Sequence, residues 1–489
     1  MFTYYNRLYH YTLMNFSFQE LKNLLIKRPY VIPALLCLWL FLYKFQHLAF
    51  GPYWDECWAY FPAVKAMAAS GPTLIPGHFD PEMYAGHPLL LLFLSSTWIS
   101  LFGNSNFTIH LLPLFISFGL ISSIFYISYH WFGLKTAIFA TIIFCLQAMF
   151  LAQSSFLLFE VLLSLLILLS YYFFIEKKYI HFIAIATLAL WTKESAYTLL
   201  PALLIGSLIE YFFFKKNAKL LRSQFISILV VILLGFSFFI IQKINVGWFF
   251  FPRHLNWVDL SYESVSYKMN VIVDLIFLIQ NKIILTCAGL IGFCMILIRY
   301  KNIDKQHLIY LIYLSIFVFG FALFAAINFL SSRYVLAAIP IVIILFVYFT
   351  TNIFNKKIIN TYILIGLCLF QFSGMLQSKQ NPPHDVELSY FDMVSCHTDM
   401  INYMNATQID KSSEITTHFL MSSMLSNPSC GYLKEPFSHV RTQSTDSTKY
   451  YIFSTIEYDP IYDEYKKNSS LKLLKRFSSG NTWCELYVK

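Results

Sequence analysis

The chain has 489 residues, of which 57% are hydrophobic and only 12% charged, about half the charged share of a soluble domain. With a mean hydropathy of +0.59, these values exclude a soluble enzyme, a disordered chain and a disulfide-stapled mini-protein, and they imply a polytopic membrane protein. The net charge of +9 hides a division: residues 1–376 carry 24 Lys+Arg and 13 Asp+Glu, whereas residues 377–489 carry 11 and 13. The polar tail has no basic face for nucleic acid, so the positive excess reads as loop charge that sets membrane topology.

A spanning helix needs roughly 20 apolar residues. Twelve apolar stretches approach that length, near 31–50, 88–102, 107–131, 134–152, 157–175, 179–193, 195–214, 223–241, 276–298, 308–328, 334–350 and 358–376. The first begins near Val31 and is too long and poorly flanked for a cleavable signal peptide, so none is expected. Lys22, Lys27 and Arg28 precede it and place its start in the cytoplasm. The stretch 88–102 decides the parity of the rest. If it does not cross, the clusters at Lys135, Lys177/Lys178, Lys215/Lys216/Lys219/Arg222, Arg299/Lys301/Lys305 and Lys356/Lys357 all fall inside. If it crosses, all of them fall outside. The expectation is therefore eleven spans, with 88–102 lying on the surface or re-entrant. It puts the N-terminus inside and the loop 51–86 and the tail outside. The short pair 179–193 and 195–214 is the weakest crossing.

The tail starts at the polar linker Ser378-Lys379-Gln380-Asn381-Pro382-Pro383. Beyond it Glu414–Phe419, Tyr450–Ile456 and Trp483–Val488 read as strands and Val394–Thr407 as a helix. The expected division is a membrane domain over 1–376 and a small α/β or α+β domain over 377–489. The nine cysteines show no metal-ligand spacing, so no zinc site is expected. Three in the tail plus Cys57 make four on the outer side, which allows three pairings.

Chemistry is sought where charge is scarce. Four acids, Asp55, Glu56, Asp80 and Glu82, fall in one 28-residue part of the first loop. Asp55 follows the first span closely, among Trp and Tyr rings suited to the membrane boundary. A carboxylate there can take a proton from an incoming hydroxyl, or it can be a solvated loop acid or a helix N-cap. Charges within spans default to function, which singles out Glu160, Lys193 and Glu194. The last two sit in the turn Trp191-Thr192-Lys193-Glu194-Ser195 and can equally cap it. Glu210 lies one turn from Lys215 and pairs there. His87, before Pro88, can donate to a phosphate or serve packing. Arg253, in the aromatic loop 247–254, and Arg333, opening a late span as Arg333-Tyr334, are cations at the depth of a lipid phosphate. Snorkelling to headgroups is the plainer reading of both.

The order of these motifs resembles a family. A Trp-Asp-Glu loop after the first span is followed by Gly86-His87-Pro88-Leu89 and an apolar helix ending Leu101-Phe102-Gly103. A Thr-Lys-Glu turn before Leu199-Leu200-Pro201 and the Arg333-Tyr334 pair complete the series. It is similar to the GT-C-fold membrane glycosyltransferases of the family 39 type, over about residues 25–350. These include protein O-mannosyltransferases, the lipid A aminoarabinose transferase and lipopolysaccharide-modifying transferases. The resemblance implies a polyprenyl-phosphate-linked sugar as donor and an acceptor lipid, glycan or protein. It implies transfer with inversion on the outer face; a bacterial inner membrane fits best as the compartment, an endoplasmic reticulum less well. Asp55 then matches the catalytic acid and Glu56 the acid beside it. Arg333, Lys193 and Arg253 are candidates for the donor phosphate, with His87, Glu194, Glu160 and Tyr334 in support. A divalent metal is compatible but not indicated, and no other cofactor is implied. The chain departs at His110-Leu111-Leu112-Pro113, where the family often has Arg-Leu-Pro. A transporter or flippase, and an O-antigen polymerase or ligase, are the competing readings.

Overall fold

The structure is a computed structural model. It describes residues 27–299, 303–456, 461–467 and 471–489; Lys22 and Lys301 of the topology argument lie outside them. The described residues up to 377 are mostly helical. Its elements are α1 (Val31–Lys44), α2 (Phe61–Ser70), α3 (Leu90–Phe102), α4 (Asn106–Phe132), α5 (Leu134–Cys145), α6 (Ala148–Gln153), α7 (Phe159–Ile175), α8 (Tyr179–Leu190) and α9 (Leu199–Ile209). They continue with α10 (Ala218–Val246), α11 (Pro252–Leu255), α12 (Tyr262–Val273), α13 (Lys282–Ile298), α14 (Lys305–Ile327), α15 (Ile339–Thr350) and α16 (Lys357–Gln377).

Among the described residues six helical segments are long and apolar enough to cross a membrane, and the bent pair around residue 280, counted as one span, makes a seventh. Five further apolar helices are shorter, α3 among them at 13 residues. Several expected spans are thus interrupted. The stretch 134–152 divides at Gln147, whose side chain donates to the Ile143 carbonyl and to Gln371 on α16. The stretch 276–298 is broken at Gln280 and Asn281, both with positive φ (55° and 62°), and the two helices meet at 83°. Backbone groups freed at a break must find partners when water is remote. Here the Asn281 amide donates to the Phe370 carbonyl, Gln371 donates to the Asn281 carbonyl, and Lys282 donates to the Leu275 carbonyl.

Residues 390–489 form a mixed sheet under helices. Strands β1 (Glu414–Thr417), β2 (His439–Arg441), β3 (Tyr450–Ser454), β4 (Lys472–Ser479) and β5 (Thr482–Val488) stand in the order β2-β1-β3-β5-β4. The β2, β1 and β3 strands are parallel, and β3, β5 and β4 antiparallel. Helix α17 (Tyr390–Ala406) packs on β4 and β5, and α18 (Phe419–Ser426) follows β1. The remaining helix, α19 (Ile461–Lys467), precedes β4.

One glycine is required by the break at 280. A Cβ on Gly374 would lie 2.2 Å from the Gln280 carbonyl oxygen, a backbone atom that cannot rotate away. Gly374→Ala should therefore destabilise the protein by about 1–3 kcal/mol, read as a lowered midpoint of thermal unfolding in detergent. An unchanged midpoint would mean that α16 does not approach the break this closely.

Candidate functional site

The centre of the site is Arg333, in the turn Ser332–Ala337 that leads into α15. Its side chain is only 6% exposed and is met by three carboxylates from distant parts of the chain. Nη2 donates to Asp55 Oδ2 in the first loop. Nη1 donates to Asp385 Oδ2 at 2.6 Å. Nε lies 3.5 Å from Glu160 Oε1 on α7. Glu160 is shared: Lys193 Nζ donates to the same oxygen at 2.7 Å and sits 3.4 Å from the centre of the Tyr334 ring. Two buried cations thus face three acids, an arrangement that offsets the large cost of burying each charge alone.

Local geometry delivers each group. Trp54 adopts a φ of 49°, unusual for a bulky residue, and the chain turns there into the helix from Glu56. Asp55 is left at the helix start, with Oδ1 accepting from Trp58 Nε1 at 3.0 Å. Lys193 is extended (φ −159°, ψ 145°) at the break between α8 and the turn Glu194–Thr198, which turns its side chain toward α7. Asp385 belongs to the linker after α16 and was not singled out in the sequence. Burial raises its carboxyl, but the facing Arg333 guanidinium and His384 outweigh this and hold it below the ordinary value. His384 donates to it at 2.9 Å and is raised in turn, mainly by that bond.

Glu56 does not join this cluster. It is fully buried, and both of its oxygens are engaged: Oε1 by the Leu157 amide at 2.8 Å and His110 Nε2 at 3.1 Å, Oε2 by the Tyr53 amide at 3.3 Å. The other nitrogen of His110 donates to the Leu48 carbonyl at 3.0 Å. Both ring nitrogens face acceptors, so His110 links Glu56 to the Leu48 carbonyl. Together they brace the first loop against α4. Arg253 is also apart, 71% exposed in its side chain and paired with Glu82 at 3.2 Å. Glu210 pairs with Lys215 at 2.8 Å.

Next to the cluster lies a cavity of about 340 Å³. Its walls are largely aromatic, with Phe250, Trp257, Phe324 and Phe329 among them, and its polar groups include Lys193, Tyr334, His87, Glu194 and His254. His87 Nδ1 donates to Glu194 at 2.9 Å, and the His254 ring lies 4.9 Å from that of His87. The ligating atoms of these three residues fall within 4.8 Å of one another, an N/O set of the kind that binds zinc. No local spacing signals it, because the residues lie far apart in sequence. As it stands the group is a hydrogen-bonded His87–Glu194 pair beside His254, whose pKa burial and the neighbouring His87 push down to about 4.

No family model matches the sequence, and no curated protein matches it either. Solved structures do. A crystal structure of ArnT from Cupriavidus metallidurans bound to undecaprenyl phosphate superposes with a TM-score of 0.57 at 12% identity, covering 93% of this chain and 97% of that one. The apo crystal structure of the same protein gives 0.54 at 11% identity, covering 90% and 94%. At this identity the match establishes the fold, which is the GT-C fold that the motif order implied.

Two outcomes test this geometry. Glu56→Gln turns one of two buried acceptor oxygens into a donor facing donors, and an unsatisfied buried polar group costs about 1–3 kcal/mol, so thermal unfolding should occur below wild type. The second concerns His254. Its folded value lies below the ordinary 6.5, so the unfolded chain binds a proton that the folded site refuses. Stability should fall as pH drops from about 6.5 to 4. In chelator-treated protein His254→Gln should flatten that part of the pH–stability profile.

Proposed function

We propose that the protein is an integral-membrane glycosyltransferase that moves a sugar from a polyprenyl-phosphate carrier to an acceptor hydroxyl, inverting the anomeric carbon. One observation carries this reading: Asp55, partly exposed, shares a buried guanidinium with Asp385 and Glu160, beside Lys193 at the floor of an aromatic cavity. The fold adds support, since the ArnT crystal structure that shares it holds undecaprenyl phosphate.

In this reading the cavity takes the first isoprene units and leads the phosphate to Lys193. Arg333 gives up a carboxylate contact to the phosphate, for which its planar fork is suited. Asp55 accepts the proton of the acceptor hydroxyl. The freed oxygen attacks the anomeric carbon from the side opposite the phosphate, and the bond from that carbon to the phosphate oxygen breaks. The bonding electrons leave with the lipid phosphate, and Arg333 and Lys193 offset its growing charge. His87, held by Glu194, lines the cavity beside Lys193 and donates to the phosphate, Glu194 orients the acceptor, and Glu160 and Tyr334 fix the two cations. Arg253 stays at the loop surface, where it contacts headgroups.

The reading includes a topology. The six long helices, the bent pair and four of the five shorter ones make eleven crossings, with α3 lying along the surface. The N-terminus is inside. The first loop and a C-terminal domain over 377–489 face the outer side of a bacterial inner membrane. The Lys/Arg clusters support this, as all then lie in cytoplasmic segments.

Reconstituted protein supplied with radiolabelled polyprenyl-phosphate sugars should consume the donor, which a flippase would only relocate. Asp55→Asn should lower turnover by roughly 10²–10⁴-fold, as expected for loss of a general base, with wild-type expression. Lys193→Met should lower it by about 10²–10³-fold, as for loss of one preorganised charge-stabilising group. Near-normal turnover of Asp55→Asn would remove the base assignment.

A further inference from the structure

We propose that Cys57 and Cys430 form a disulfide that ties the first loop to the C-terminal domain. The inference rests on the reading above that places both on the outer side, where disulfides form and persist.

Cys57 lies two residues after Asp55, and Cys430 closes the short turn Pro428–Cys430 after α18. Both are fully buried. The Cys430 thiol donates to the Cys57 carbonyl at 2.8 Å, which brings its sulfur against the Cys57 residue. Contacts on either side hold the two backbones in place. Lys65 Nζ donates to the Ser429 carbonyl at 2.8 Å, and the Tyr432 hydroxyl to the Pro52 carbonyl at 2.8 Å. The Trp58 and Phe419 rings stand 5.9 Å apart. Gly51 makes room for the Tyr432 ring, which a Cβ there would meet at 2.4 Å. Of the three pairings open to the four cysteines, the structure thus favours the one that joins Cys57 to Cys430.

The chemistry is a two-electron oxidation. Each thiol loses a proton and an electron as the Sγ–Sγ bond forms, and a disulfide-carrying thiol oxidoreductase accepts both, becoming a dithiol through a mixed disulfide. In the closed fold the neighbouring Cys430 thiol and burial hold the Cys57 thiol well above its ordinary value. Thiolate, the reactive form, is scarce there. Oxidation therefore belongs to folding, before residues 419–432 cover the first loop. Once formed, the bond fixes the segment that carries Asp55 to the domain whose linker supplies Asp385.

The test uses the full-length wild-type protein. Cells are quenched in acid, the membranes are denatured in N-ethylmaleimide without reductant, and the digest is read by mass spectrometry. The expected result is a linked Cys57–Cys430 peptide that reductant splits. In Cys57→Ser the partner Cys430 should become alkylated, and in Cys430→Ser so should Cys57. Quantitative alkylation of both in the wild type, or linkage of either to Cys396 or Cys484, would overturn the proposal. Gln443→Cys, at an exposed position of the domain, separates the two readings through labelling of cells by a membrane-impermeant maleimide. Labelled Gln443→Cys with free wild-type thiols would defeat the disulfide and leave the topology standing. Unlabelled Gln443→Cys with free thiols would defeat both.

Discussion

A buried guanidinium cannot be left without counter-charge, and Arg333 organises the protein through that requirement. Removing an ion from water is costly unless its partners are close and well aligned. The three carboxylates that meet Arg333 come from the first loop, from α7 and from the linker after α16. None of these segments can settle independently of the others. Glu160 also holds Lys193, so the break between α8 and the following turn is drawn into the same network. The constraint that shapes the fold and the chemistry proposed for it are therefore one set of contacts.

Much of this cluster was legible because charge is scarce in the membrane part. Asp55, Glu160, Lys193 and Arg333 stood out against an apolar background, and the structure brings these four together. Asp385 gave no such signal, because an acid in a polar linker is unremarkable by composition. Glu56 sits apart from the cluster for a geometric reason. Successive residues at a helix start point about 100° apart, so a backbone that aims Asp55 at Arg333 aims its neighbour into the core. His110 replaces an Arg of the resembled pattern, yet it faces Glu56 rather than the cavity. The His87, Glu194 and His254 grouping exists only in three dimensions.

Hydropathy read the apolar stretches well and their interruptions poorly. Breaks at 147 and 280 depend on whether a particular amide can bond across to α16, which no window average records. The polar domain shows a similar limit. Strands β1, β3 and β5 and helix α17 were visible as hydrophobic patterns. Strand β2 has three residues, and β4 is an edge strand whose side chains are mostly exposed and do not alternate. Edge strands commonly carry charge on both faces, and Lys472, Lys475 and Arg476 do so here.

Exposure also bears on which acid can do chemistry. Of the carboxylates around the buried cations, Glu160 is 2% exposed in its side chain and Asp385 6%, while Glu56, next to Asp55 in sequence but outside the cluster, is 0% exposed. Asp55 is 23% exposed. In the proposed reaction an acceptor hydroxyl that comes from water meets Asp55 first, whereas Glu160 and Asp385 are enclosed by their partners. The same contacts limit what Asp55 can do alone, because Arg333 occupies its Oδ2. In the proposed reaction a phosphate that engages the guanidinium frees that oxygen as it arrives, so donor binding and release of the proposed base pass through one side chain.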